Sequence, residues 1–193
     1  MKPELASSPE TTRSRWQLAG EQLDFLGYEL RQQTDGKPIR WLVIFFGPCA
    51  GVNLSYRLDR CGYLLCGRPW IALRVAAFPL FSLLRLLSCR HEISFKAQIG
   101  RGLRVWHPTL GLAVHGEAIV GQNCTLYGGN SIGARKPMTR GELVLGDHVT
   151  LGLNACVLGP AKVGHHVTIG AGAVVVGDLP DHAVAVGVPA RCR

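Results

Sequence analysis

Seven histidines and seven cysteines are the side chains in this 193-residue chain that can most readily do chemistry near neutral pH. An imidazole close to its own pKa can take the proton of a hydroxyl as that hydroxyl attacks a carbonyl, so each histidine is a candidate general base. His107, in Trp106-His107-Pro108-Thr109, is the first candidate because it sits where a regular pattern, described below, breaks. His115, beside Gly116, is the rival base and reads otherwise as an orienting or interface residue. His148, His165, His166 and His182 fall at turn positions and read as surface residues. A zinc hydratase would need three converging histidines, two of them five residues apart, and no pair here has that spacing. The cysteines at 49, 61, 66, 89, 124, 156 and 192 also lack metal-ligand spacing and read as reduced, mostly buried small residues. No metal is expected.

The elements that must position these residues announce themselves by a six-residue period. Leu145, Leu151, Val157, Val163, Ile169 and Val175 keep it strictly, as do Val114, Val120, Leu126 and Ile132, and Ile99 with Val105. Small residues often follow: Gly100, Gly121, Gly133, Gly146, Gly152, Gly164 and Gly170. Neither helical periodicity nor simple strand alternation produces a period of six. A short strand and a corner do, with the aliphatic residue inward, and three such units close one triangular coil. The expected class is mainly β, a parallel β-helix of hexapeptide repeats over residues 92–179, preceded by a helical region and followed by a tail at 180–193. A glycine-rich β-sandwich would not hold this phase.

Two phase breaks mark where loops leave the scaffold. Val105 and Val114 are nine apart, so three extra residues bulge out beside His107. Ile132 and Leu145 are thirteen apart, read as two units plus one residue, with an external basic loop at 134–141.

The stretches Glu92-Ile-Ser-Phe-Lys-Ala-Gln-Ile-Gly-Arg-Gly102, Trp106 to Glu117, Ile169 to Gly177 and Ala185 to Arg191 resemble the serine acetyltransferase branch of the hexapeptide acyltransferases. Within it, the short length and the apolar, basic N-terminal region look more like capsule and exopolysaccharide O-acetyltransferases of the colanic-acid type. The resemblance implies a left-handed β-helix, a homotrimer with active sites between subunits, and acetyl-CoA as cosubstrate. It puts His107 at the base position, with direct attack of an acceptor hydroxyl on the thioester. It implies acceptor-binding positions at Glu92 and Trp106, and cofactor-lining positions at Ser131, Gly133, Ala134, Ala155, Ala171 and Gly172. Arg135, Lys136, Lys162 and Arg191 are candidates for the cofactor phosphates on charge and position.

Departures from the branch bear on the acceptor. Trp106 stands where serine acetyltransferases carry aspartate, Glu92 is longer than their other aspartate, and Arg140-Gly141-Glu142 supplies no second histidine. An aromatic ring beside the base suits the face of a sugar, or else covers a subunit seam. The expected activity is therefore acetyl transfer to a sugar hydroxyl, free or lipid-linked, in exopolysaccharide or capsule synthesis. Serine O-acetylation and a non-catalytic β-helix module are the alternatives. The ending Arg191-Cys192-Arg193 lacks the terminal isoleucine by which the serine enzymes dock onto cysteine synthase.

Composition adds the setting. Residues 1–35 read as polar and partly flexible, with a short helix near Glu21 to Gln32. Residues 36–91 read as two apolar helices divided by Cys66-Gly67-Arg68-Pro69. Between Lys37 and Arg90 eight basic residues face only Asp59, which favours contact of 38–90 with an anionic membrane surface over nucleic acid. Capping the end of the β-helix is the other role for these helices. No run reaches a spanning length, and the N-terminus does not read as a signal peptide. The expected location is cytoplasmic, peripheral on the inner membrane.

Overall fold

The computed structural model describes residues 13–34, 48–76 and 91–193. The cations Lys37, Arg40, Arg85 and Arg90, the flexible segment expected before residue 13, and the second apolar helix past residue 76 lie outside the described residues. Among the described residues three helices come first: α1 (Arg15–Thr34), α2 (Pro48–Cys66) and α3 (Arg68–Ala76). Helix α1 begins well before the Glu21 expected and packs along α2 with Leu18, Ala19, Gln22, Leu26 and Glu29 buried. Gly67, at φ 66°, ends α2 in the left-handed conformation that glycine adopts without a Cβ penalty, and its N–H closes on Tyr63 O. Arg68-Pro69 then opens α3, as read from the sequence. None of the described helices is long and apolar enough to cross a membrane.

From His91 on, the chain winds as a parallel β-helix with three faces. The first face stacks β1 (His91–Ile93), β4 (Leu112–Val114), β7 (Asn130–Ala134), β10 (Cys156–Gly159) and β13 (Val174–Val175). The second stacks β2 (Gln98–Ile99), β5 (Ile119–Val120), β8 (Leu143–Leu145) and β11 (Ala161–Val163). The third stacks β3 (Arg104–Val105), β6 (Thr125–Leu126), β9 (Thr150–Leu151), β12 (Thr168–Ile169), β14 (Val184–Gly187) and β15 (Ala190–Cys192). All pairs are parallel except the closing hairpin β14–β15.

The periodic residues form the interior. Ile93, Val114, Ile132, Val157 and Val175 stack on the first face, and Val105, Leu126, Leu151, Ile169 and Ala185 on the third, all buried. Each such aliphatic side chain contributes about 1.5–3 kcal/mol by leaving water. Small residues at the corners are enforced by the same stacking. A Cβ on Gly146 would meet the backbone of Gly164 at 2.7 Å on the next coil.

The second phase break is larger than its spacing implied. Ile132 and Leu145 lie on successive faces of one coil, a single unit apart, so the insertion is seven residues rather than one. The loop is tied down. Arg140 donates to Lys96 O (2.9 Å) and Gly116 O (3.0 Å) and reaches Glu117 at 3.3 Å, while Arg135 donates to Val176 O.

The first coil would expose a sheet edge, and the helices cover it. Six of its carbonyls accept from α2 side chains: Phe95 and Lys96 from Arg60, Ala97 from Tyr56, Ile99 and Gly100 from Arg57, and Leu103 from Asn53. Glu29 of α1 accepts from the amides of Gly102 and Leu103 and pairs with Arg57 at 2.5 Å, both side chains being 0% exposed. Burial pushes the Tyr56 hydroxyl above its ordinary pKa, against the opposing charges of Arg60 and Arg57. Among the described cations of 38–90, some serve the capping role read from the sequence. Arg57 and Arg60 are buried in the cap, and Arg74 pairs with Asp59 at 3.3 Å.

Candidate functional site

The corner where the first coil passes into the second is unlike the others. Its chain leaves β3 at Trp106, turns through His107 and makes a short 3₁₀ turn, Pro108–Leu110, before entering β4. These are the three extra residues of the first phase break. His107 stands at φ 48°, ψ 50°, in the left-handed region that non-glycine residues seldom occupy. Its ring is exposed and among the described residues carries no hydrogen bond, which leaves both nitrogens available to a substrate.

Three residues hold this corner from the next coil. Gly128 lies under His107, where a Cβ would sit 2.5 Å from His107 O and 3.0 Å from Trp106 O, and its φ of 95° also demands glycine. The N–H of Gly128 donates to Asn130 Oδ1 at 2.8 Å, and Asn130 Nδ2 donates to Gly152 O and Ala155 O. Asn130 is buried, so its amide pins two successive turns together beneath His107. The parallel register also brings Tyr127 directly below Trp106, since Val105 pairs with Leu126. None of these three was singled out from the sequence. A signal existed for Asn130, which is polar at the inward fifth place of its unit, where the other units carry small or apolar residues.

The rival base is engaged elsewhere. His115 Nδ1 accepts the N–H of Glu117 at 3.2 Å, so the lone pair on that nitrogen is occupied and the proton of the neutral ring sits on Nε2. His148, His166 and His182 are exposed at one corner, with ring centroids 4.6 and 5.1 Å apart in a parallel stack. His165 accepts the N–H of Asp147 at 3.0 Å.

The structure gathers some of the expected site residues and separates others. Trp106 and His107 lie at the same corner as Ala171 and Gly172, three coils away along the solenoid. Glu92 is exposed on the outer row of the first face, in register with Ala113, which is followed by Ser131 and Cys156 on later coils. Gly133 and Ala134 lie at the far end of that face, opposite Leu158 and Gly159. Arg191 is exposed on β15 at the end of the third face, in register with Val186. Lys162 points out from the second face instead, its N–H donating to Asp178. Ala155 faces inward. Its side chain is 0% exposed inside the coil, so it offers a groove only backbone, and its carbonyl is already taken by Ser131 N and Asn130.

Below Trp106 and Tyr127 the same outward column continues as Gly152 and Gly170. Stacking keeps these two positions small, since a Cβ would meet Ala171 N at 2.6 Å from Gly152 and the Val186 side chain at 2.8 Å from Gly170, and the narrow strip they form runs beside Ala171 and Gly172, the latter in open space. Such a strip suits a narrow, flexible chain lying along the solenoid with its reactive end at His107.

No protein-family model matches the chain. A serine acetyltransferase of Synechococcus elongatus is 36% identical over 151 residues, covering 75% of this chain and 62% of the relative, so the chain spans about three fifths of that protein's length. A serine acetyltransferase of Helicobacter pylori (strain J99) is 34% identical over 170 residues, covering 86% of this chain and 95% of the relative. Among solved structures, Neisseria gonorrhoeae serine acetyltransferase in complex with serine superposes with a TM-score of 0.71 at 25% identity, over 92% of this chain and 73% of that one.

Proposed function

This chain belongs to the serine acetyltransferase family of hexapeptide-repeat proteins, and from that premise we propose that it is an acetyl-CoA-dependent O-acetyltransferase whose acceptor is the hydroxyl of serine. The left-handed β-helix of that family is the scaffold, and the homotrimer expected from the sequence is part of this reading. The observation that carries the reading is His107: an exposed imidazole with free nitrogens, held in a left-handed turn by Gly128 and Asn130, at the family's base position.

In this mechanism acetyl-CoA is a substrate. Its pantetheine arm lies along the strip of Gly152, Gly170, Ala171 and Gly172, with Arg191 within reach of phosphate at the far end of the same side. His107 takes the acceptor's proton as the hydroxyl oxygen attacks the thioester carbon. The new C–O bond forms, the C–S bond breaks, and the proton passes to the departing thiolate, so that free CoA and an acetyl ester result. Glu92, on the first face, supplies the carboxylate for the ammonium group of serine.

The sugar acceptor expected from the sequence differs from this reading in the acceptor alone. The relatives' names support serine over it, and the observation in its favour is Trp106, half-exposed beside the base.

The test is CoA release from acetyl-CoA with L-serine, in the wild type and in His107→Ala and His115→Ala. Loss of a positioned base lowers turnover by about 10²–10⁴-fold. We expect that loss for His107→Ala and a much smaller one for His115→Ala. Undiminished turnover in His107→Ala removes the base from this reading.

A further inference from the structure

We propose that Asn154 reads the thioester donor, its side-chain carboxamide pairing with the outer of the two amides in a pantetheine arm. The proposal rests on acyl transfer at His107 and deepens it, since it makes the site select pantetheine thioesters over shorter ones.

The first observation is a column with one side chain in it. Where the coils turn from the third face into the first, strand register aligns Gly111, Gly129, Asn154 and Gly172. All four stand at positive φ, 89°, 65°, 57° and 67° in that order. Glycine meets that demand without strain, and asparagine is among the few other residues that tolerate it. The backbone thus allows asparagine at 154 without calling for its amide.

The second observation is direction. A Cβ on Gly129 would lie 1.9 Å from Asn154 Oδ1 and 3.0 Å from its Cγ, so the carboxamide fills the space over Gly129. It therefore leans along the solenoid toward the coil that carries His107. The side chain is exposed, and among the described residues its amide makes no hydrogen bond.

Third, much of the surrounding backbone is already committed. The N–H of Gly152 donates to Ile169 O, that of Asn154 to Gly128 O, that of Gly170 to Ala185 O and that of Gly172 to Leu153 O. Residues 152–154 and 170–172 contain no other polar side chain. An amide that leaves water for such a groove and finds no partner weakens binding, and Asn154 offers it both a donor and an acceptor.

Fourth, the reach fits. His107 and Asn154 belong to coils two apart, about 9.5 Å at the usual spacing of paired strands. In an extended pantetheine arm seven bonds, roughly 9 Å, separate the sulfur from the outer amide nitrogen. With the sulfur at His107, the outer amide comes to Asn154 and the arm continues past Gly172, where the space is open.

Asn123 supplies an internal control. It has the same conformation, φ 54°, and lies over Gly102 as Asn154 lies over Gly129, but at the corner between the second and third faces.

The test measures kcat/KM of the full chain with L-serine and three donors: acetyl-CoA, S-acetylpantetheine and S-acetyl-N-acetylcysteamine, which keeps only the inner amide. Calorimetric titration with CoA reads the same contact without an acceptor. We expect Asn154→Gly to lose about tenfold with the first two donors and in CoA affinity, and nothing with the short donor. Asn123→Gly keeps the wild-type values throughout. An equal loss with all three donors makes Asn154 a scaffold residue and overturns the proposal, as does an Asn154→Gly variant that loses nothing. Either result leaves His107 and the proposed function standing. If serine is not acetylated but CoA affinity still falls in Asn154→Gly, the contact stands and the serine reading goes. A wild type that neither binds CoA nor turns over removes both.

Discussion

The two ends of the first coil use similar side chains to opposite purposes. At the helical cap, Arg57, Arg60, Glu29, Tyr56 and Asn53 are buried, and their hydrogen bonds run to the coil's own backbone. At the corner after β3, Trp106, His107 and Tyr127 are exposed, and the His107 ring bonds to nothing described. The backbone at the corner is nonetheless as firmly held as at the cap, through Gly128 and Asn130. The difference teaches that function here does not come from looseness. The scaffold fixes the main chain at both ends, and at the corner the exposed His107 ring is left, among the described residues, for another molecule to meet.

The sharpest way to break the comparison is at the cap. Arg57→Ala leaves Glu29 buried without its partner and orphans the carbonyls of Ile99 and Gly100. Removing one member of a buried pair costs about 3–5 kcal/mol. Urea unfolding will show that loss, with intact His107 chemistry in whatever fraction remains folded. A cost near zero would mean the helices do not hold the first coil.

At the corner the expected order is reversed. Gly128→Ala forces a positive φ on alanine and a Cβ against His107 O, at a strain cost of about 1–3 kcal/mol. Because the displaced atoms belong to the turn of His107, the proposed base, we expect kcat to fall by more than this stability loss implies, with KM for acetyl-CoA little moved. A variant with full kcat would show that the left-handed turn of His107 is incidental.

The smallest effect concerns the inserted loop. The N–H and hydroxyl of Thr139 both donate to Glu142, and with Lys136 nearby they hold its carboxyl below the usual carboxylate range. A lowered folded pKa means that this anchoring is present above the ordinary carboxylate pKa and fades as pH falls through the lowered value. Hydrogen exchange at the Thr139 amide should therefore rise at acid pH once corrected for intrinsic rate. In Glu142→Gln that pH dependence should vanish.

Sequence alone disclosed the β-helix because its signal is local and repeated. Each inward aliphatic residue from Leu145 to Val175 adds evidence for the same phase. It mis-sized the insertion because thirteen residues from Ile132 to Leu145 sit one away from two full units, and spacing cannot separate a long loop from a slightly enlarged coil. It left the use of Arg57 and Arg60 unread for another reason. Arg57 and Arg60 count as charge in any composition, and only packing shows that they serve as hydrogen-bond donors to an edge. His107 was legible from its phase break. Tyr127 was not, because its partnership with Trp106 exists only across the register of β3 and β6, twenty-one residues apart in the chain. The use of His115 Nδ1 by a backbone amide likewise has no trace in composition or spacing.

The cap has one more consequence, in the order of assembly. A parallel solenoid grows as a one-dimensional polymer, each coil offering its free edge as the template for the next. Helices α1 and α2 act as its primer: they precede the coils in the chain and supply side-chain donors and acceptors at the first edge, where no earlier coil exists. The antiparallel strand β15 is its terminator, closing the last edge with a strand that runs the wrong way to propagate. Because synthesis proceeds from the N-terminus, the primer is complete before the first coil emerges, and each later coil meets a finished edge as it leaves the ribosome.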